Sequence, residues 1–261
     1  LGMFITTFAG TKERYKPIKK ETTAKKKTHP LKTIKILCRN KYFILITLAF
    51  AVIYTSLGLT GGSRIYYAKY VLGDEMLNST MTMFNYIPTI LTIMLIPVFT
   101  KRFGKIKALF VGFLFYAAGL VLEIAGPVNL PMIYTGLVLQ GIGHAALYSC
   151  LFAIVGDVVD YSEWKDGIRE EGITYSVTSF GQKIGTGLGT AALGWILAAG
   201  HYDGTAAVQS ASAIFAIKGL FLYLPLVITV IVLIIWYLFM GIDKIYPTVR
   251  KELDERREKA E

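Results

Sequence analysis

The chain has 261 residues, of which 54% are hydrophobic and only 18% are charged, and its mean hydropathy is +0.50. This is too little charge to solvate an ordinary soluble domain of this length, so the composition excludes a soluble enzyme. The formal net charge is +10 at pH 7. The basic residues flank apolar windows, a pattern that indicates a membrane surface and does not indicate nucleic acid.

The first 41 residues contain two segments of different character. Residues 1–11 are mostly apolar, and we interpret them as the end of a preceding span, in a chain that is a fragment of a longer protein. Residues 12–41 are rich in lysine and contain Pro17 and Pro30, which predicts a cytoplasmic linker. Its last part has the apolar face of an amphipathic helix at the membrane surface, or else is a solvated extension of the first span.

The rest of the chain contains apolar windows that are each long enough to cross a bilayer. They lack the alternating polar face of a soluble helix, so we predict an all-α membrane protein with six transmembrane helices in the bundle 42–240. The predicted spans are residues 42–62, 78–100, 107–126, 131–156, 173–199 and 212–240. Residues 241–261 form a charged tail, and the one-sided basic residues place both ends of the chain in the cytoplasm.

The first span contains an unusual break. Gly58, Gly61, Gly62 and Arg64 interrupt its apolar run. Glycine interruptions can mark a transporter binding site, whereas the alternative is that the span ends at Gly61 and an amphipathic segment follows. The sequence leaves both interpretations open.

Glu123 is the one acidic residue within the predicted spans. It stands one helical turn before the Gly126-Pro127 turn. This position favours a carboxyl group exposed at the outer interface, and a role in proton coupling is the alternative.

A charged stretch separates the fourth and fifth spans, in the predicted loop 157–172. Asp157, Asp160 and Glu163 recur every third residue and therefore share one face of a helix end. No nucleophile or metal motif accompanies them, and the three histidines are scattered. We expect these carboxylates to pair with Lys or Arg of a neighbouring loop and so to hold one conformation; the candidate partners are Lys101, Arg102 and Arg169.

Lys183 lies two to three turns inside the fifth span. A charged amine there is costly and usually faces a cavity or an ionic partner, although a lysine can also extend to the membrane surface. Gly185 and Gly189 follow in a GxxxG pattern, which allows another helix to approach closely.

The stretch GDVVDYSEWKDGIREEGITYSVTSFGQKIG resembles the loop between spans ten and eleven of the glycoside-pentoside-hexuronide:cation symporters. This family is the melibiose-carrier-like branch of the major facilitator superfamily. The matching residues are Asp157, Asp160, Tyr161, Glu163, Trp164, Lys165, Arg169, Glu171, Gly172, Tyr175, Ser176 and Lys183.

The resemblance implies the carboxy-terminal half of a twelve-span carrier, built from two inverted three-helix repeats. It implies symport of a sugar or glycoside with Na+ or H+, the cation being bound mainly by the amino-terminal half, and no cofactor. The implied substrate-binding residues are Lys183, Tyr148, Thr178, Ser179 and Gln182. The implied cytoplasmic gate contains Asp157, Asp160, Glu163, Arg169, Lys101 and Arg102.

Two other classes of membrane protein are alternatives to a transporter. A membrane-embedded enzyme would need a nucleophile or metal constellation within a span, and the sequence shows none. A non-transporting sensor or scaffold with the same fold is the alternative that the sequence leaves open.

Overall fold

The computed structural model describes residues 39–167, 171–206 and 208–258, together with residues 2, 6, 10, 37 and 169. The chain divides into two compact units, Leu1–Ile36 and Leu37–Glu261. In the first unit, Gly2, Thr6 and Gly10 are helical. The predicted linker and amphipathic helix fall mainly on residues 12–36, which lie outside the described residues.

The second unit consists of helices and contains no strand among the described residues. Its elements are α1 (Lys41–Tyr70), α2 (Leu77–Ile93), α3 (Ile96–Phe103), α4 (Lys105–Ala125), α5 (Leu130–Asp166), α6 (Glu171–Ala199), α7 (Ala211–Lys218), a π-helical segment (Gly219–Tyr223), α8 (Leu224–Phe239) and α9 (Gly241–Glu258).

Helix α1 begins at the cap Asn40, whose side chain accepts from the Tyr42 backbone N–H, and continues to Tyr70. The helix therefore neither breaks nor ends at Gly61, so the interpretation that the span ends there is wrong, whereas a binding site at these glycines stays a prediction. Gly58 and Gly62 instead allow close packing. A Cβ added at Gly58 would lie 2.8 Å from the Thr186 carbonyl oxygen, and one at Gly62 would lie 2.7 Å from Leu193.

The second predicted span is bent. Helices α2 and α3 meet at an angle of 55° after Ile93. Pro97 near the start of α3 has no N–H to continue the helical bonding, which explains a break at this point.

The fourth span continues beyond its predicted end. Helix α5 begins at the cap Asn129 and ends only at Gly167, which adopts the left-handed conformation with φ 67°. Most of the predicted loop 157–172 is therefore helical. A glycine at this position is favoured because it adopts positive φ without steric cost.

The last span, α7 to α8, contains the π-helical segment immediately before Pro225. Proline removes one backbone donor and commonly accompanies such an irregularity. The predicted charged tail forms α9, and Arg256 pairs with Glu252 at 3.8 Å. The tail is more than a solvated helix, because Val249 and Leu253 are buried in the core.

Among the described residues, four helical runs are long and apolar enough to cross a membrane, or five if α2 and α3 form one bent span. They are α1, α4, α5 and the continuous run Ala211–Arg256. The all-helical membrane class is thus confirmed, whereas the count of six spans and the two inverted repeats remain predictions. Helix α6 forms where the fifth span was predicted, and it is rich in glycine, serine and threonine.

Glycines allow close contact in two of the helix pairs. Gly185 and Gly189 place α6 against the α1 backbone at Ala51 and Thr55, so the GxxxG prediction of a close helix contact is confirmed. Helices α4 and α5 approach each other in the same way, and a Cβ added at Gly136 would lie 2.7 Å from the Gly119 carbonyl oxygen. Close backbone contact of this kind is how membrane helices gain packing energy.

Candidate functional site

A charged cluster lies where the last turns of α5 meet the starts of α4, α6 and α9. We call it the α5-end cluster, and it contains Lys105, Asp157, Asp160, Glu163, Arg169 and Tyr246. The Lys105 amine contacts both carboxylate oxygens of Asp157, at 2.6 and 2.8 Å. The Asp157 side chain is only 9% exposed, so this pair is largely shielded from solvent.

Arg169 binds several carboxylates in the same cluster. Its guanidinium donates to Asp160 at 2.9 Å, to Glu163 at 2.6 Å and to Glu171. Partial burial tends to lower the pKa of Arg169, but its bonds to Glu163, Glu171 and Asp160 outweigh this and raise the pKa above its usual value. Tyr246 on α9 donates to the second oxygen of Asp160 at 2.9 Å.

The ion pairs of these carboxylates agree only in part with those expected from the sequence. Arg169 pairs with Asp160 and Glu163 as expected, but the partner of Asp157 is Lys105. Lys101 and Arg102 are exposed at the end of α3 and make no ion pair among the described residues. The reason is Gly104, whose φ of 92° turns the chain so that Lys105 begins α4 beside α5.

The charged tail also contacts the end of α5, which the sequence did not lead us to expect. The Trp164 indole N–H donates to Glu252 at 2.7 Å, and Arg256 donates to the Trp164 carbonyl oxygen at 3.3 Å. The buried spacing of Val249 and Leu253, four residues apart, is the sequence signal that could have indicated a docked helix.

Helix α6 presents two different faces. Gly181, Gly185 and Gly189 lie against α1, whereas Lys183 is exposed. Lys183 makes no ion pair with any residue that the structure describes. The lysine thus belongs to a face of α6 that these helices leave uncovered.

The other predicted substrate-binding residues are divided between these faces. Ser179 and Gln182 are half-buried, whereas Thr178 is fully buried and its hydroxyl donates to the Thr174 and Tyr175 carbonyl oxygens. Thr178 therefore packs against neighbouring helices and its hydroxyl is already satisfied. Thr178 does not share the exposed position of Lys183.

Tyr148 is 45% exposed on α5. One turn further along α5, the Phe152 carbonyl oxygen accepts from the Tyr175 hydroxyl of α6 at 3.5 Å. Helices α5 and α6 are antiparallel at this contact. Tyr148 precedes Phe152 by about one turn and Ser179 follows Tyr175 by about one turn, so both lie on the same side of the contact. Lys183 lies one turn beyond Ser179, so Tyr148 and Lys183 are exposed positions on the same side of this contact.

A second polar group lies among α1, α2, α4 and α5, with three buried and two half-buried members. We call it the buried polar cluster, and it contains Arg64, Asn85, Glu123, Gln140 and His144. Glu123 accepts from the Gln140 amide at 2.7 Å, and His144 Nδ1 lies 3.3 Å from the Asn85 side-chain oxygen. The expectation of an exposed Glu123 is wrong, because its side chain is 0% exposed between α4 and α5. The glycine pair Gly119 and Gly136 brings these helices together and encloses it.

No group of three or more His, Cys, Asp or Glu within the described part of the chain is arranged to hold a metal ion.

Comparison with known proteins gives a consistent result. The family model described as MFS/sugar transport protein matches residues 1–244. The chain is 32% identical to an isoprimeverose transporter of Lactiplantibacillus pentosus, over 97% of this chain and 52% of that protein. It is 26% identical to a glucuronide carrier protein homolog of Escherichia coli strain K12, over 86% and 50%. The chain spans about half the length of the curated relatives it matches.

Proposed function

Because this chain belongs to the MFS/sugar transport protein family, whose relatives are transporters and not enzymes, we propose that it forms the carboxy-terminal half of a cation-coupled sugar or glycoside symporter. Its partners would be the amino-terminal half of the same carrier, the coupling cation Na+ or H+, the substrate and the lipids of the cell membrane. A sensor or scaffold with this fold is not favoured.

The observation that carries this proposal is the exposed Lys183. A membrane-embedded lysine is costly unless it faces a cavity or a partner, and α6 turns its glycine face to α1 and not its lysine. The exposed surface that carries Tyr148 and Lys183 is where the missing half would close a substrate pocket. Ser179 and Gln182 are half-buried on the same helix as Lys183 and can donate hydrogen bonds to sugar hydroxyl groups.

Thr178 fits this pocket less well than its neighbours, because its hydroxyl donates within α6. We propose that Thr178 shapes the α1–α6 contact and that Lys183, Tyr148, Ser179 and Gln182 contact the substrate. The names of the relatives, an isoprimeverose transporter and a glucuronide carrier homolog, support a sugar or glycoside as the substrate class.

We propose further that the α5-end cluster is the cytoplasmic gate of an alternating-access carrier. The basic segments lie on this side, which supports cytoplasmic ends for the chain. Lys105 belongs in this gate in addition to the predicted residues. Lys101 and Arg102 would act there only if the amino-terminal half supplies their partners, since the described residues do not.

The test replaces Lys183 with alanine in the complete carrier. Uptake of radiolabelled isoprimeverose and of a glucuronide into vesicles is measured with and without a sodium or proton gradient. We expect Lys183→Ala to abolish gradient-driven accumulation at a near-normal amount of protein in the membrane. Lys218→Ala, at a lysine within the last predicted span, is the matched control and should accumulate substrate normally. Equal accumulation by Lys183→Ala and wild type would contradict the assignment.

A further inference from the structure

Glu123 is a carboxyl group that has been removed from water but is only partly satisfied. Its side chain is 0% exposed, and Oε1 accepts the single hydrogen bond from Gln140 at 2.7 Å. The second oxygen, Oε2, is buried and has no hydrogen-bond partner. An ionised carboxylate normally accepts several hydrogen bonds when buried, so this environment suits the neutral acid better.

The surrounding backbone holds the carboxyl group in place. A Cβ added at Gly136 would lie 2.6 Å from Glu123 Cγ and 3.0 Å from Oε1. The side chain therefore fills the space that the glycine leaves between α4 and α5. In this conformation the side chain has no contact with solvent.

Arg64 on α1 is the cation that could neutralise Glu123, but the two side chains do not form an ion pair in this structure. Arg64 Nη1 donates to Thr82 on α2 at 3.2 Å, whereas its Nε is buried and has no partner. Arg64 is near enough to interact electrostatically with Glu123. Glu123 and Arg64 thus each have one buried polar atom without a hydrogen-bond partner.

This arrangement points to a proton. We propose that Glu123 is a proton-binding site of the carrier, that it carries a proton in this conformation, and that Arg64 displaces the proton by pairing with it in another conformation. The inference rests on the proposed transport function and makes the coupling cation H+. Oε2 would take the proton from water on one side of the membrane and return it to water on the other, with no other bond made or broken.

The other titratable groups around Glu123 do not supply a competing cation. Tyr67 reaches it from α1, and its hydroxyl donates to the Pro127 carbonyl oxygen. Tyr116 interacts with it from α4 itself, and Tyr223 of the π-helical segment interacts with Tyr67. From α5 the facing group is the neutral Gln140. Arg64 is therefore the charged group that we expect to control the protonation state of Glu123.

Aromatic and imidazole side chains lie between this site and Tyr148. The Tyr116 and His144 ring centroids are 5.0 Å apart, and those of His144 and Tyr148 are 5.8 Å apart. Tyr116 is also near enough to interact electrostatically with Glu123. This series is the part of the structure through which we expect a change at the proposed substrate pocket to influence the carboxyl group.

The first test is spectroscopic and needs no substrate. Infrared spectra of the complete carrier in lipid nanodiscs are recorded across a pH titration. We expect a band from a protonated carboxyl group near neutral pH that is absent in Glu123→Gln and retained in Glu75→Gln, the control at an exposed carboxyl. In Arg64→Gln, the loss of this band with rising pH should occur at a higher pH, because the cation that favours the ionised form of Glu123 is gone. A band that persists in Glu123→Gln would overturn the proposal.

The second test measures coupling. Glu123→Gln should reduce accumulation of isoprimeverose driven by a proton gradient by about 5- to 150-fold, the range of typical coupling energies. Exchange of labelled for unlabelled isoprimeverose at equal pH should continue, which shows that the variant folds. If wild type drives accumulation with protons and Glu123→Gln does so equally, this inference fails and the transport function stands. If wild type moves none of the sugars tested, the transport function fails, and the infrared titration still decides the state of Glu123.

Discussion

The α5-end cluster and the buried polar cluster both contain groups of opposite charge. They differ in how completely those groups are paired. At the end of α5, every carboxylate of the cluster has a basic partner, and Asp157 and Lys105 form a pair with two short contacts. Inside the bundle, Glu123 and Arg64 each retain an atom without a hydrogen-bond partner. The first cluster is partly exposed, whereas Glu123 is fully enclosed.

This difference indicates different roles. Fully paired charges at a helix end stabilise one arrangement of the helices and are lost together when those helices separate. At the buried polar cluster, the proposed second conformation would pair Glu123 with Arg64 and so satisfy the atoms that lack partners here. We therefore expect the α5-end cluster to control a conformational equilibrium and the buried polar cluster to bind a small ligand, the proton.

The largest expected effect concerns that conformational equilibrium. Replacing both Asp157 and Asp160 with asparagine removes the charges that hold α4, α5 and α9 together. We expect the population open on this side to rise about 5- to 150-fold, corresponding to about 1 to 3 kcal/mol. The measurement is the rate at which a cysteine introduced at Ser179 reacts with a membrane-impermeant maleimide from the cytoplasmic side.

Two further variants sharpen this test. Lys105→Ala should reproduce the effect of Asp157→Asn, and combining the two should add little, because both remove the same ion pair. Lys101→Ala is the matched control, since Lys101 is exposed and unpaired among the residues the structure describes. Unchanged maleimide reactivity in the double asparagine variant would refute the gate.

An effect of similar size, on stability, is expected from changing the enclosure of Glu123. Gly136→Ala places a methyl group 2.6 Å from Glu123 Cγ and 2.7 Å from the Gly119 carbonyl oxygen, so α4 and α5 must separate. We expect a loss of about 1 to 3 kcal/mol of stability, measured by thermal unfolding in detergent.

Gly187→Ala is the control for this change, because a Cβ there meets nothing within 4 Å. It should leave stability unchanged or raise it by up to about 1 kcal/mol, since alanine favours a helix over glycine. Equal unfolding temperatures for the two alanine variants would show that the α4–α5 contact is not tight.

The smallest expected effect concerns Arg169. Its side chain is 40% exposed, so its ion pairs are screened by solvent despite their number. Arg169→Gln should cost at most about 1 kcal/mol, and the difference from wild type should shrink at high salt. A larger, salt-independent loss would mean that this part of the cluster is as enclosed as the buried one.

The sequence by itself determined the membrane class and the approximate positions of the helices, because long apolar runs have few stable alternatives to a helix in a bilayer. It also indicated the shared face of Asp157, Asp160 and Glu163, since that follows from helical spacing alone. Likewise, the GxxxG pattern was enough to predict a close helix contact at Gly185 and Gly189.

Only the tertiary structure decided which side chains meet. It paired Asp157 with Lys105 and not with Lys101, because the direction of the chain at Gly104 is a single backbone angle that spacing does not reveal. It enclosed Glu123, because burial depends on a glycine of the next helix, and it docked the charged tail on Trp164. Helical periodicity fixes the face on which a residue lies, but the neighbour that covers that face is set by the packing of helices distant in sequence.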